Sequence, residues 1–541
     1  MERKFYEKFE KKANHKNTKK DLKKQQRDFN NSDNPKEKKS SQEKNDFKQK
    51  ASNHPVSKTT KDFKNSKRNK KEDNFKKEQS LFTTDKITKE TDYILQHFDE
   101  IVQGVRPLNS KQLQQLPDNI KELSHQLTDK RSERRLGYMN DNIQLSSYVR
   151  YYTWWNLVRL TRLFSNLPAS AFPNKDGVCI DLGTGPLTVV NALWLARPEL
   201  RKLNLTWYCL DVSSNSMVLG EDLYMSIAAR TPASTPAPAG ETTTAGNSLP
   251  EGAPSQEDSD SPSHWNIIRV KGSFGTSIKQ KADFITCANM FNELDQAGDM
   301  PPEYQAKKYF QQLQTYGKQD CKFLLIEPGV PKATRTLTLL RERFINAGKT
   351  ITSPCPHHLS CPMNGFKAYT GSSNKWCNFC FSTEDAPARL LKLSEQAKLP
   401  KERATLIFVS AVGGDKMSAG AREAAGGSKM SASAKDTVGG DKAPRSLSNN
   451  HLTCRVTSDP FRLPDYKIGY YGCSQLGLTL IKTNGKVERN PNAKQKGVIN
   501  HEKEFIIKGP LASGDLIQIK IKKAPDQLPI DEKSGAVVVE L

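Results

Sequence analysis

Between residues 178 and 412 the chain alternates short apolar runs with stretches of helical periodicity, and no other feature of the sequence restricts the fold as much. Runs at 178–182, 205–211, 267–270, 283–287, 323–327 and 405–412 have the length of strands. Helical patterns fall between several of them, at 187–196, 304–316 and 334–347. Strands joined through helices lie parallel, with helices covering both faces of one doubly wound sheet. The expected fold class is therefore α/β.

The flanks read differently. Residues 1–80 hold 26 basic and 13 acidic side chains, so this stretch supplies +13 of the net charge of +23. Such a composition buries too little apolar surface to fold, and we expect a disordered basic tail over 1–90. A tail of this kind follows polyanions by releasing their counterions. Ile94, Phe98 and Ile101 fall on one helical face, and residues 134–167 gather Tyr138, Tyr148, Trp154, Trp155 and Phe164 into a second helical stretch. A helix this apolar reads as core before it reads as a base-stacking surface, so 91–170 is expected to be a helical domain. The main α/β core spans 171–412. Low-complexity stretches at 232–263 and 413–450 read as a surface insertion and a linker. Residues 451–541 read as a small β module, with Asn484-Gly485 suited to a type I′ hairpin turn.

No window approaches ~18 consecutive apolar residues, which argues against a membrane partner. The first residues, MERKFYEKFEKK, lack the apolar stretch of a secretory signal and carry too many acids for a transit peptide. A bacterial cytoplasm is the expected compartment, with the mitochondrion as the alternative, and a monomer the expected state.

At the end of the first strand, Asp181, Gly183 and Gly185 stand where strand turns into helix. Glycines there allow a tight turn and close approach of a ligand to backbone N–H groups, and a carboxylate suits a cationic or hydroxylated ligand. Asp211, ending the next strand, is placed to take two ribose hydroxyls, with Ser213 beside it. Asn289, Asn292 and Glu293 follow the fourth strand and are the candidates for chemistry at the acceptor side. Cys287 reads as a buried thiol within that strand.

Four of the ten cysteines, Cys355, Cys361, Cys377 and Cys380, crowd into a polar loop spanning 353–381. Thiolates gathered in a non-secreted chain read as ligands of zinc or of an iron–sulfur cluster. His357 and His358 could add nitrogen ligands for zinc. Prolines after Cys355 and Cys361 are similar to the Cys-Pro ending of ferredoxin runs.

In order and rough spacing, Asp181-x-Gly183-x-Gly185, Asp211-Val-Ser213, the 283–289 strand and Glu327-Pro328-Gly329 resemble a class I S-adenosylmethionine methyltransferase, a Rossmann-like core. With Asn292-Glu293-Leu294, Cys355-Pro-His…Cys361-Pro, Cys377-x-Phe379, Arg462-x-Pro464, Gly469 and Cys473-x-x-x-Gly477, the chain resembles the methyltransferase-like family that assembles the small ribosomal subunit in mitochondria, with relatives in bacteria. The matching parts cover roughly 130–485 apart from the two low-complexity stretches. The resemblance implies an S-adenosylmethionine site formed by Asp181, Gly183, Gly185, Asp211, Ser213 and Asn289. It also implies a [4Fe–4S] cluster on Cys355, Cys361, Cys377 and Cys473, with Cys380 or Cys454 as substitutes for the fourth ligand and zinc as the alternative metal. The implied partners are the small ribosomal subunit and its rRNA. Relatives usually carry a further Gly where Leu187 stands, and its bulk is expected to crowd the methionine end of the cofactor. The Asn/Asp-Pro-Pro-aromatic tetrad of amino-methylating enzymes is missing, and no general base is identifiable. Two functions follow: an rRNA methyltransferase, or a non-catalytic assembly factor that uses the fold as an RNA-binding scaffold.

Overall fold

The computed structural model describes residues 74–128, 138–231, 264–294, 300–366, 375–413, 450–464, 467–489 and 505–541. Most of the expected tail and nearly all of both low-complexity stretches lie outside the described residues. Strand β1 (Phe75–Gln79) is followed by helices α1 (Lys89–Gln96), α2 (Phe98–Val105), α3 (Ser110–Leu127), α4 (Asn142–Ser147) and α5 (Trp154–Asn166). A π-helical turn, Tyr148–Thr153, leads into α5. Polar caps start several of these helices. The Thr88 hydroxyl accepts from Thr91 N, Asn109 and Gln112 form a reciprocal capping box, and Asp141 accepts from Ile143 N and Gln144 N.

The alternating region follows as β2 (Gly177–Leu182), α6 (Thr188–Ala196), β3 (Leu205–Asp211), α7 (Ser214–Ala228), β4 (Asn266–Lys271) and β5 (Ala282–Ala288). It continues with α8 (Phe291–Leu294), α9 (Pro302–Tyr316), β6 (Gly317–Glu327), α10 (Pro331–Asn346), β7 (Thr350–Ser353), β8 (Phe379–Ser382), α11 (Ala388–Gln396) and β9 (Arg403–Val412). These strands form one sheet in the order β4-β3-β2-β5-β6-β9-β7, with β8 paired to β9 off this path. β2 through β6 pair in parallel, whereas β9 runs antiparallel to both β6 and β7. Order and direction agree with the expected α/β class, a mostly parallel sheet with one antiparallel strand near its edge. The strand order reverses between β2 and β5, and in open α/β sheets ligands bind beyond the carboxyl ends of strands at that switch point. The inner halves of β2, β3, β5 and β6 are buried, because helices cover both faces.

The helices before β2 do not hold a core apart from the sheet. Ile94, Phe98, Trp154 and Leu163 belong to one continuous apolar cluster with Ile180, Leu193, Phe284 and Leu325. Trp154 Nε1 donates to Leu95 O at 2.7 Å and Trp155 Nε1 to Ser394 Oγ at 3.1 Å, so the aromatic helix is core, as its composition suggests.

The remaining strands are β10 (His451–Val456), β11 (Phe461–Arg462), β12 (Ile468–Ser474), β13 (Gly477–Thr483), β14 (Lys486–Arg489), β15 (Phe505–Lys508), β16 (Leu516–Lys520) and β17 (Val537–Glu540). With β1, all but β14 and β15 build a second sheet in the order β1-β16-β10-β12-β13-β17, with β11 on β12, and β14 and β15 form a two-stranded sheet of their own.

Two findings here depart from the sequence reading. Ordered chain begins within the stretch assigned to the 1–90 tail, because β1 pairs with β16 and both Leu81 and Phe82 are buried. A Lys-rich edge strand shows no alternation for a periodicity argument to find; its ladder to β16, the Lys77–Asp515 ion pair and the bonds of Gln79 to Asn166 O and from Arg455 hold it. The Asn484-Gly485 hairpin does not form. β13 has β12 on one side and β17 on the other, so both its edges are taken, and β14 pairs with β15 instead. Neither Asn484 nor Gly485 has the positive φ that a type I′ turn requires.

Helix α7 approaches the turn after β2 closely at Gly220, where a Cβ would lie 2.4 Å from the carbonyl carbon of Pro186. Ala in place of Gly within a helix gains up to ~1 kcal/mol, but overpacking against rigid backbone costs ~1–3 kcal/mol. We expect Gly220→Ala to lower the melting temperature followed by circular dichroism. An unchanged or raised value would show this packing to be loose.

Candidate cofactor cleft and cysteine site

The turn leaving β2 is held in left-handed backbone conformation at Gly183 (φ 66°), Gly185 (φ 52°) and Leu187 (φ 52°). Glycine is the default residue for such conformations. Asp211, at the end of β3, fixes the turn: Oδ2 accepts from Gly185 N at 2.9 Å, and Oδ1 from Ser213 N at 2.8 Å. Leu187 adopts the positive φ despite its side chain, which is fully buried in the core and does not line the cleft. Crowding of the methionine end by Leu187 is therefore not observed.

The turn forms one wall of a cleft of about 1100 Å3, taken to its open mouth, at the switch point of the sheet. Gly183, Gly185 and Asp211 line it, together with Asn289 and Glu293 from beyond β5 and Tyr138, Tyr148 and Asn156 from the helices before β2. Asp181 lies beneath the turn, fully buried, where Oδ1 accepts from Thr286 Oγ1 at 2.7 Å and Oδ2 lacks a well-formed hydrogen bond. Burial pushes its carboxyl up to about 7, against hydrogen bonding from Thr184 and Thr286. Burial also raises Asp211, opposed by its bonds to the backbone N–H groups of Ser213 and Gly185. Two adjacent carboxylates taken out of water without a cation are costly, and a cationic or hydroxyl-bearing ligand would offset that.

Ser213 does not line the cleft. Its hydroxyl caps α7 by accepting from Ser216 N at 3.2 Å. Asn292 is also turned to structural use, its backbone N donating to Glu327 Oε2 while Phe291 N donates to Oε1. Glu327, fully buried at the end of β6, thus caps the short helix α8. Asn289 itself sits at φ 61° in the cleft wall, and its Oδ1 accepts from Arg159 Nη2 at 3.1 Å. Cys287 is fully buried within β5, and burial drives its thiol well above its ordinary range. The sequence reading missed Tyr148, Asn156 and Arg159. These residues sit in a helical stretch whose aromatic periodicity signals only core.

Cys355, Cys361 and Cys377 lie on the 353–381 loop and Cys473 on β12. Cys377 and Cys473 are buried, and Cys355 and Cys361 are half-buried. Burial raises the Cys473 thiol, and the charges of Cys361, Cys355 and Cys377 raise it further, so all four sulfurs share one electrostatic neighbourhood. Cys361 is pushed up to about 12 by burial and then by Cys355. Two buried arginines face the thiols. Arg341 Nε lies 3.1 Å from Cys355 Sγ and its Nη2 donates to His357 O at 2.7 Å. Arg455 donates to Pro354 O, Gly514 O and Gln79 Oε1, tying this loop to the second sheet. His357 Nε2 is 3.0 Å from Cys473 Sγ. Cys380 stands apart, hydrogen-bonded to Asp459 at 3.1 Å. Cys454 lies on β10, and its charge reaches Cys473. Among the described residues no group of three or more His, Cys, Asp or Glu side chains is arranged to hold a single metal ion.

Residues 260–431 match the family described as mitochondrial small ribosomal subunit Rsm22. The match bears out the resemblance read from the motifs to a methyltransferase-like small-subunit family. No curated protein sequence matches the chain significantly. Among solved structures, ribosomal protein L11 methylase of Lactobacillus delbrueckii subsp. bulgaricus is 13% identical, covering 36% of this chain and 70% of its own, with a TM-score of 0.22. A methyltransferase of Thiobacillus denitrificans in complex with S-adenosyl-L-homocysteine is 10% identical, covering 48% and 90%, with a TM-score of 0.25. Precorrin-6y C5,15-methyltransferase of Geobacter metallireducens is 9% identical, covering 48% and 88%, also at 0.25. Likenesses of this strength carry no argument about activity.

The state of Asp181 gives a pH test. Its folded pKa of about 7 lies above the ordinary 3.8, so between these values the folded protein holds a proton that the unfolded chain has released. The stability contributed by the neutral form is thus full below pH ~4 and lost as pH rises to ~7. Asp181→Asn removes this loss while leaving an oxygen for Thr286. We expect the variant to melt higher than wild type at pH 8, by a margin of the order of a few kcal/mol, with the two curves converging near pH 4. A margin independent of pH would refute the account.

Proposed function

We propose that this protein binds S-adenosylmethionine in the cleft at the β2–β5 switch point and acts on small-subunit rRNA during assembly of the mitochondrial ribosome. The observation that carries the reading is the left-handed turn held by Asp211, which sets Gly183, Gly185 and Asp211 on the wall of the cleft. Asp211 accepts from the backbone N–H groups of Gly185 and Ser213, and its carboxylate lines the cleft where a ribose hydroxyl would meet it. Asp181, whose carboxyl burial pushes up to about 7, lies below the turn, and a sulfonium near it would favour its ionised form. The match to a mitochondrial small-subunit family supports the partner and favours the mitochondrion over the bacterial cytoplasm. The lysine-rich tail and the strands at 451–541 would add RNA contacts. No helix among the described residues is long and apolar enough to cross a membrane.

A second reading, a non-catalytic assembly factor, draws on one specific observation. An acceptor amine would need an oxygen after β5 to take its proton or orient its lone pair, as general acid–base geometry requires. The Asn289 side-chain oxygen is already engaged by Arg159, which has donors only.

We further propose a [4Fe–4S] cluster on Cys355, Cys361, Cys377 and Cys473. The donor set fits: four gathered thiols, with Arg341 and Arg455 beside them to balance the anionic charge of a thiolate-bound cluster. Cys380, paired with Asp459, is outside that set. Such a group, when bound, would pin the 353–381 loop to β12 and so join the two sheets. Arg341 holds the Cys355 sulfur and the His357 carbonyl in place for it.

For the cofactor, Asp211→Ala should weaken S-adenosylhomocysteine binding in calorimetry by ~10- to 100-fold, since a hydrogen bond to a charged group contributes ~1.5–3 kcal/mol. Unchanged affinity in a folded variant would make the acid merely structural. For the cluster, anaerobically purified protein should be brown and contain iron and acid-labile sulfide in equal amounts, both lost in Cys473→Ser. Colourless protein with stoichiometric zinc would overturn it.

A further inference from the structure

Away from the cofactor cleft, two buried side chains bring nitrogen up to cysteine sulfur. His357, on the 353–381 loop, has Nε2 3.0 Å from Cys473 Sγ of β12. Arg341, on α10, has Nε 3.1 Å from Cys355 Sγ, and its Nη2 donates to His357 O at 2.7 Å. One chain of contacts thus runs from the Cys355 sulfur through Arg341 and His357 to the Cys473 sulfur on the second sheet. The neighbouring histidine is engaged elsewhere: His358 Nε2 accepts from Ile351 N of β7 at 3.4 Å.

The contact at Cys473 has the length of a hydrogen bond and not that of two ligands sharing a metal ion. Nitrogen and sulfur on one tetrahedral zinc, ~2.0–2.1 Å and ~2.3 Å from it, lie roughly 3.5 Å apart. At 3.0 Å His357 and Cys473 are too close for that arrangement. A metal-bound thiolate carries no proton, so the imidazole supplies it, and this assigns the hydrogen to Nε2. Arg341 has donors only. Its Nη1 is buried without a hydrogen-bond partner among the described residues. A buried cationic donor left unpaired is costly, and an anionic group bound at the thiols would offset that cost.

We propose that His357 and Arg341 raise the reduction potential of the iron–sulfur group by donating N–H···S hydrogen bonds to Cys473 and Cys355. The proposal rests on the cluster reading above and names the residues that tune it. A [4Fe–4S] group, when bound, supplies one-electron chemistry whose potential depends on net charge and on hydrogen bonds to its sulfurs. Charge-assisted bonds of this kind strengthen as negative charge on the sulfur grows, and more so where water is excluded. The two donors therefore favour the reduced form. Neither is a ligand; each is a positioning residue that acts through the cysteine it touches.

The test uses the full chain, purified anaerobically with its iron, and a dithionite titration followed by visible absorbance and electron paramagnetic resonance. His357→Phe removes the donor and fills the space, whereas His357→Gln keeps an amide N–H. We expect the midpoint potential of the Phe variant to fall by about 59 mV or more, a tenfold shift of the one-electron equilibrium. The Gln variant should lie between it and wild type, and the iron content of each checks its loading. A second measurement needs no variant. Reduced wild-type protein carrying isotope-labelled histidine should show a weak nitrogen coupling in pulsed electron paramagnetic resonance. An iron-loaded His357→Phe protein with an unchanged potential would overturn the proposal and leave the cluster reading intact. Absence of the nitrogen coupling, the strong coupling of a directly bound nitrogen, or iron that dithionite leaves oxidised would overturn it as well. Colourless, iron-free wild-type protein would sink the cluster reading itself, and this proposal with it.

Discussion

The backbone of the turn after β2 runs through three left-handed residues, and the carboxylate of Asp211 makes this possible. Gly183 and Gly185 tolerate the conformation, but Leu187 does not adopt it cheaply. Two forces hold it there. Its side chain is buried in the core, and the Asp211–Gly185 bond fixes the segment just before it. Helix α7 packs so tightly on Pro186 that only glycine fits at position 220. The cleft is thus shaped by rigid backbone, and a ligand would meet groups already in place rather than having to order them.

Below that turn, a fully buried acid whose pKa has risen to about 7 is a stability cost the fold carries for no packing reason. Threonine or asparagine would fill the same space and hydrogen-bond Thr286 without it. Perturbed titration beside a cleft is a recognised mark of function. On the opposite wall Arg159 Nη2 ties the side-chain oxygens of Asn156 and Asn289 together, and Glu293 stands beside them.

The cysteine site performs a different task. The loop carrying Cys355, Cys361 and Cys377 hangs from the large sheet, whereas Cys473 belongs to β12 of the second sheet, yet its side chain packs into the large core. Arg455 crosses the same boundary, bonding the loop, the turn before β16 and the end of β1. The loop also touches the cleft side of the sheet. Trp376 Nε1 donates to Gly329 O at 3.0 Å, two residues past the Glu327 that caps α8. Packing around the thiols and packing around the cleft are therefore mechanically continuous.

Read alone, the sequence determined the alternating core. All six apolar runs from 178 to 412 are strands and the three helical patterns are helices, because hydrophobic periodicity survives wherever one face must be buried. Local chemistry also marked the Gly183–Gly185 turn and Asp211. It failed at β1 and at Asn484-Gly485, where the outcome depends on which sheet edge is free, a fact no local window contains. It named Ser213 for the cofactor and Asn292 for acceptor-side chemistry; in the fold the Ser213 hydroxyl caps α7 and the Asn292 backbone N–H meets Glu327. Tertiary structure alone decided that His357 meets the Cys473 sulfur and that Arg159 engages the side chain of Asn289. These partners lie 116 and 130 residues apart in the chain, and only the folded topology brings them together.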